Sequence, residues 1–110
     1  MNTMIEFEKG STNVYADLGF PDADEMLRKA ELATEIGRII KGRQWTPQKI
    51  AETMGLSQPK LSELLRGRFR GIGETKMLEY LARLGCDVEI VVSAPHPSGI
   101  PGHVALSISA

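Results

Sequence analysis

The segment Thr46-Pro47-Gln48-Lys49-Ile50-Ala51-Glu52-Thr53-Met54-Gly55-Leu56-Ser57 allows few folds, because it starts a helix, stops it and starts another with almost no chain between. Thr46 is an N-cap whose hydroxyl can satisfy an orphan N–H, and Pro47 takes the first helical position, where its missing N–H costs nothing. Trp45 can staple onto Ile50 across that cap. Gly55 supplies the positive φ that ends the helix. Ser57 caps the next one, Leu56 can staple to Leu61, and Leu61, Leu64 and Leu65 form its buried side up to a stop at Gly67. Two short helices joined this tightly form a helix-turn-helix. Ala51 must be small where they cross, and Leu56 and Leu61 fill the wedge between them. Gln58, Pro59, Lys60 and Glu63 are left facing outward near the start of the second helix.

The flanks extend this motif into a mainly α domain of four to five helices. Upstream, Asp22 with Glu25 at the third position beyond it reads as a capping box, and Leu27, Ala30, Ala33, Ile36 and Ile40 recur at helical spacing up to a stop at Gly42. Downstream, Gly73 to Leu84 reads as a helix with Met77, Leu78, Leu81, Ala82 and Leu84 on its apolar face and Gly85 as its stop. The period then changes from 3.6 to 2, since Val88, Ile90 and Val92 alternate with Asp87, Glu89, Val91 and Ser93. A lone strand leaves its backbone groups unsatisfied, so it must pair with another segment of the chain or with its twin in a two-fold dimer. Residues 1–21, turn formers mixed with scattered apolar side chains, read as an N-terminal arm. Residues 22–93 read as the helix-turn-helix domain with a dimerising strand at 87–93, and the proline-bearing residues 94–110 as a flexible tail.

The pattern Gln48-x-x-Ala51-x-x-x-Gly55-Leu56-Ser57-Gln58-x-x-Leu61-Ser62-x-Leu64-x-x-Gly67 resembles the XRE-type, lambda-repressor-like helix-turn-helix family. Asn13 to Ala23 upstream and Leu84 to Val92 downstream resemble the HigA-type antitoxins, short XRE proteins paired with RelE- or HigB-like toxins. That resemblance spans residues 11–93. It implies a protein that binds its toxin and represses its own operon, with Gln48 on a DNA phosphate and Gln58 on a base. The chain departs from the pattern at Trp45, where the family places an aliphatic residue, and at Gly73, where the subgroup tends to place a serine cap.

The residue types suit those roles. The Gln58 amide donates and accepts at once, as a paired contact to adenine N6 and N7 requires, and Lys60 can reach guanine O6 or N7 or a nearby phosphate. Pro59 stiffens the first turn. Glu63 can accept from cytosine N4 or tether Arg66 or Lys60. Arg66-Gly67-Arg68-Phe69-Arg70 alternates cations with small or apolar residues, which suits phosphate contacts, and Arg43 and Lys49 flank the first helix of the motif. Phe69 reads as core.

Charge is sorted in the same way. The net charge is -1, yet residues 1–37 carry three positive and eight negative charges, whereas residues 38–85 carry ten positive and four negative. A basic middle suits nucleic acid, and an acidic front suits a basic protein partner such as a toxin.

Other chemistry is thinly represented. His96 and His103 have no carboxylate or cysteine at ligand spacing, so no metal site is expected, and no nucleophile is placed against a base. Cys86 reads as a small buried filler; one cysteine excludes an internal disulfide and suits a reducing compartment. No apolar run approaches the ~20 residues needed to span a bilayer, and the first residues lack the order of a signal peptide. The expectation is a cytoplasmic, cofactor-free, non-enzymatic homodimer that binds a palindromic operator in double-stranded DNA. A stand-alone phage or plasmid regulator without a toxin and an adaptor that does not bind DNA are the other two classes open to such a sequence.

Overall fold

A computed structural model describes residues 18, 19 and 21–109. Most of the expected N-terminal arm therefore lies outside the described residues. Among them are four helices: α1 (Ala23–Arg43), α2 (Pro47–Met54), α3 (Gln58–Leu65) and α4 (Glu74–Arg83). Asn13–Val88 makes up one compact unit, and the chain from Glu89 onward belongs to another.

The helix ends follow from local sequence. The Thr46 hydroxyl accepts from the Lys49 N–H at 3.2 Å, and the Ser57 hydroxyl accepts from the Lys60 N–H at 3.3 Å. At the end of α2 the Leu56 N–H donates to the Ala51 carbonyl at 2.9 Å and the Gly55 N–H to that of Glu52 at 3.2 Å, the paired closure of a Schellman motif. Gly55 makes this possible with φ of 75°. A Cβ there would also clash with a guanidinium nitrogen of Arg83, which covers the turn. Gly55→Ala is expected to cost about 1–2 kcal/mol through the left-handed backbone alone, since the end of Arg83 can swing away. Urea denaturation at equilibrium measures that cost. The helices α3 and α4 close in the same way, through Arg68 to Glu63 and Cys86 to Leu81.

Two expected boundaries of α1 are corrected. Asp22 does stand at the N-cap, but its side chain caps nothing. Its carboxylate accepts from the Arg70 guanidinium at 3.2 Å instead, and Glu25 pairs with Lys29 at 3.2 Å rather than closing a capping box. A charged partner outbids a neutral N–H. The helix also runs through Gly42 to Arg43, and the left-handed residue that stops it is Gln44, with φ of 57°. One interior glycine costs a helix only about 1 kcal/mol, so it need not end there.

The core is built from one face of each helix. Leu32 and Ile36 of α1, Met54 of α2, Leu64 of α3 and Met77 of α4 are fully buried, together with Leu84. Against this core α1 packs chiefly on α4, and α3 packs on α1 and α2. Phe69 is buried and pins the loop between α3 and α4, as expected. Further ties hold that loop to α1: the Lys29 ammonium, itself buried, donates to the Arg70 carbonyl at 2.9 Å, and Arg28 forms a two-pronged bond to Glu74 at 2.9 Å.

Among the described residues, 87–93 carry no strand, although their sequence alternates. This segment makes no backbone hydrogen bond with another described residue, so no ladder forms among them. Val88, Ile90 and Val92, the row expected to face a partner, are all exposed, Ile90 at 75% and Val92 at 89%. Alternation sets which side chains share a face, but a strand exists only when a second edge accepts its N–H and C=O groups. Residues 94–109 carry neither helix nor strand, with a turn at Pro97-Ser98.

Candidate nucleic-acid interface

The first turn of α3 presents Gln58, Pro59 and Lys60 together, all exposed, while Leu61 and Leu64 turn inward from the same helix. Pro59 lies in that first turn and leaves no internal bond broken. Glu63 is exposed one turn further on. Its partner is Arg68, at 4.0 Å across the helix end, and not the Arg66 or Lys60 considered from sequence. Both members of that pair are more than half exposed, and such pairs contribute about 0–1 kcal/mol, so a phosphate can take Arg68 away.

The remaining basic residues divide by what they touch. The Arg70 guanidinium pairs with Asp22 at 3.2 Å and its carbonyl accepts from Lys29, contacts that tie the loop to α1. Arg43 donates to the Leu84 carbonyl at the end of α4 and lies 4.9 Å from the centre of the Trp45 ring. That contact satisfies a carbonyl at the negative end of a helix dipole, a structural role beside the phosphate contact expected of it. Among the described residues Lys49, Lys60 and Arg66 have no carboxylate partner, and all three are exposed. They border the helix-turn-helix at the start of α2, the start of α3 and the end of α3. Gln48 is exposed near the start of α2 and donates to Glu52 at 3.3 Å, a weak tie on a solvated face.

Sequence reasoning missed this division, because Asp22 and Arg70 are 48 residues apart. It also gave Trp45 only an apolar role, as a staple on Ile50. The ring lies against two cations, with the Lys49 ammonium 4.8 Å from its centre. The signal was there in a tryptophan four residues ahead of a lysine and two behind an arginine.

Cys86 is half-buried, and burial pushes its thiol above the ordinary value, which keeps it protonated and a poor nucleophile. Among the described residues no group of histidine, cysteine and carboxylate side chains could hold a metal ion, and no helix is long and apolar enough to cross a membrane.

A buried-faced pair of helices with a tight turn, an exposed polar start to the second helix and exposed cations around it define the class of helix-turn-helix DNA-binding proteins. The chain belongs to the family described as "Helix-turn-helix domain", whose model matches residues 14–93. It is also similar to a solved structure described as an XRE family transcriptional regulator. The identity is 29% over 82% of this chain and 99% of that one, with a TM-score of 0.67. No curated protein matches the chain. Family and fold are those of a regulator rather than of an enzyme class.

Proposed function

We propose that the chain is a sequence-specific transcriptional repressor of XRE type that binds a palindromic operator as a homodimer. The observation that carries this reading is the outward face of Gln58, Pro59, Lys60 and Glu63 on α3, bordered by Lys49 and Arg66, which have no carboxylate partner among the described residues. Gln58 and Lys60 contact bases in the major groove, and Gln48, Lys49, Arg66 and Arg68 contact phosphates. In a two-fold dimer the two copies of α3 enter successive major grooves about 34 Å apart. Its dimer forms through residues 87–93, which leave Val88, Ile90 and Val92 exposed and their backbone without a described partner.

Titrating promoter duplex and random duplex across salt concentrations tests the division of labour. Gln58→Ala is expected to weaken the preferred site by about 10-fold and random DNA little, which corresponds to one good base contact. Arg66→Ala is expected to weaken both alike and to reduce the slope of log affinity on log salt by about one, whereas Arg70→Ala leaves that slope unchanged. Equal effects of Gln58→Ala on both duplexes would remove the base-reading role. Binding without salt dependence would leave the adaptor reading.

The same protein is proposed to be the antitoxin of a type II pair, neutralising a basic RelE- or HigB-like toxin. This reading is supported by the subgroup resemblance and by the acidic first third of the chain, although Asp22, Glu25 and Glu35 are already paired within the fold. Co-expression with the adjacent gene tests it: a small basic protein retained on this chain supports the antitoxin, and no retained partner leaves a stand-alone regulator.

A further inference from the structure

Lys49 is ordered by one contact that no other exposed lysine of the described residues has. Its ammonium lies 4.8 Å from the centre of the Trp45 ring, and the Arg43 guanidinium lies 4.9 Å from the same centre. Arg43 is fixed independently by its bond to the Leu84 carbonyl, so the indole is braced from the end of α4 and can in turn hold the lysine. An exposed lysine otherwise samples many rotamers and loses that freedom on binding. The ring draws the ammonium by its quadrupole without neutralising it, whereas a carboxylate would cancel the charge. Lys49 therefore keeps a full positive charge in a restricted position in the first turn of α2.

On the DNA-binding reading above, we propose that Trp45 is a positioning residue for phosphate contact. It holds the Lys49 ammonium where the operator backbone passes, so that the ordering cost of this side chain is met before DNA arrives. The aliphatic residue common at this position in the resembling family has no quadrupole and cannot do this. The contribution concerns affinity for any duplex, since a phosphate carries no base identity.

Binding of the full chain to its promoter duplex and to random duplex, at several salt concentrations, tests the proposal. Trp45→Leu is expected to weaken both by about 2- to 5-fold at low salt, the scale of one exposed cation–π contact, with their ratio unchanged. Trp45→Phe retains a ring and is expected to stay within about twofold of the parent. Lys49→Gln is expected to lower the salt slope by about one, and adding Trp45→Leu to it costs no further affinity, because the indole then has nothing to position. Full additivity of the two changes overturns the proposal. So does a Trp45→Leu protein that melts earlier yet binds DNA as the parent does, which would assign the indole to packing alone. A parent protein that binds no duplex removes the DNA reading and this inference together. A parent that binds, with Trp45→Leu equal to it, removes only this inference.

Discussion

Leu64→Ala is expected to lower the unfolding free energy by about 2–5 kcal/mol, the range for removing a buried leucine and leaving a partly collapsed cavity. Leu64 is fully buried and is one of two side chains, with Leu61, that fix α3 on α1 and α2. Domains of this size are stable by only about 5–15 kcal/mol, so the change removes a large share. At about 4–8 °C per kcal/mol for a domain of 60–100 residues, the melting temperature falls by roughly 10–30 °C. Leu65 provides the control. It is the next residue of the same helix but is 45% exposed, and Leu65→Ala is expected to cost less than about 1 kcal/mol. The comparison measures more than packing, because the rotation of α3 that buries Leu64 is the rotation that turns Gln58 and Lys60 outward. Equal costs at the two positions would mean that α3 is turned about its axis and that its reading face has been assigned to the wrong side chains. Thermal and urea denaturation of both variants decide the point.

What the sequence made legible was local. Thr46, Ser57 and Gly55 act within four residues of themselves, so the type of each residue is enough to place the two short helices and the turn. Phe69, Leu61 and Leu64 follow from spacing for the same reason, but Leu65, expected on the buried side with them, is 45% exposed. Three of the failures are contests with a distant group. Asp22 is a good cap by type, but Arg70 arrives from the loop after α3 and takes its carboxylate. Gly42 is a good stop by type, but the chain continues to a residue whose guanidinium reaches the end of α4. The arginine run reads as three equivalent phosphate contacts, yet Arg66, Arg68 and Arg70 stand differently. The first has no carboxylate partner among the described residues, the second is loosely paired, and the third is tied to α1. Which cations remain for DNA is decided by which carboxylates fold back onto them, and chain separation of more than forty residues hides that from any window.

If the proposed dimer forms through residues 87–93, Ile90→Pro is expected to convert it to monomers and to reduce operator affinity by about 10²–10⁴-fold, the gain that joining two binding modules provides. The argument starts from the backbone of residues 87–93, which makes no hydrogen bond among the described residues although its side chains alternate as in a strand. A segment of that pattern, once extended, is a template for another chain. Identical segments paired antiparallel satisfy each other, because every contact is repeated by the two-fold axis. Proline at the centre removes one ladder N–H and fixes φ near −65°, far from the antiparallel value. The helix-turn-helix should be spared, because Glu89 and the residues after it belong to a different unit from Asn13–Val88. The variant is therefore expected to keep its helical circular dichroism and most of its affinity for random duplex, while sedimentation gives half the parent mass. Dimers that persist at micromolar protein would place the interface on another surface. Monomers that bind the operator as tightly as the parent would show instead that one copy of α3 suffices, and that two-fold symmetry plays no part in recognition.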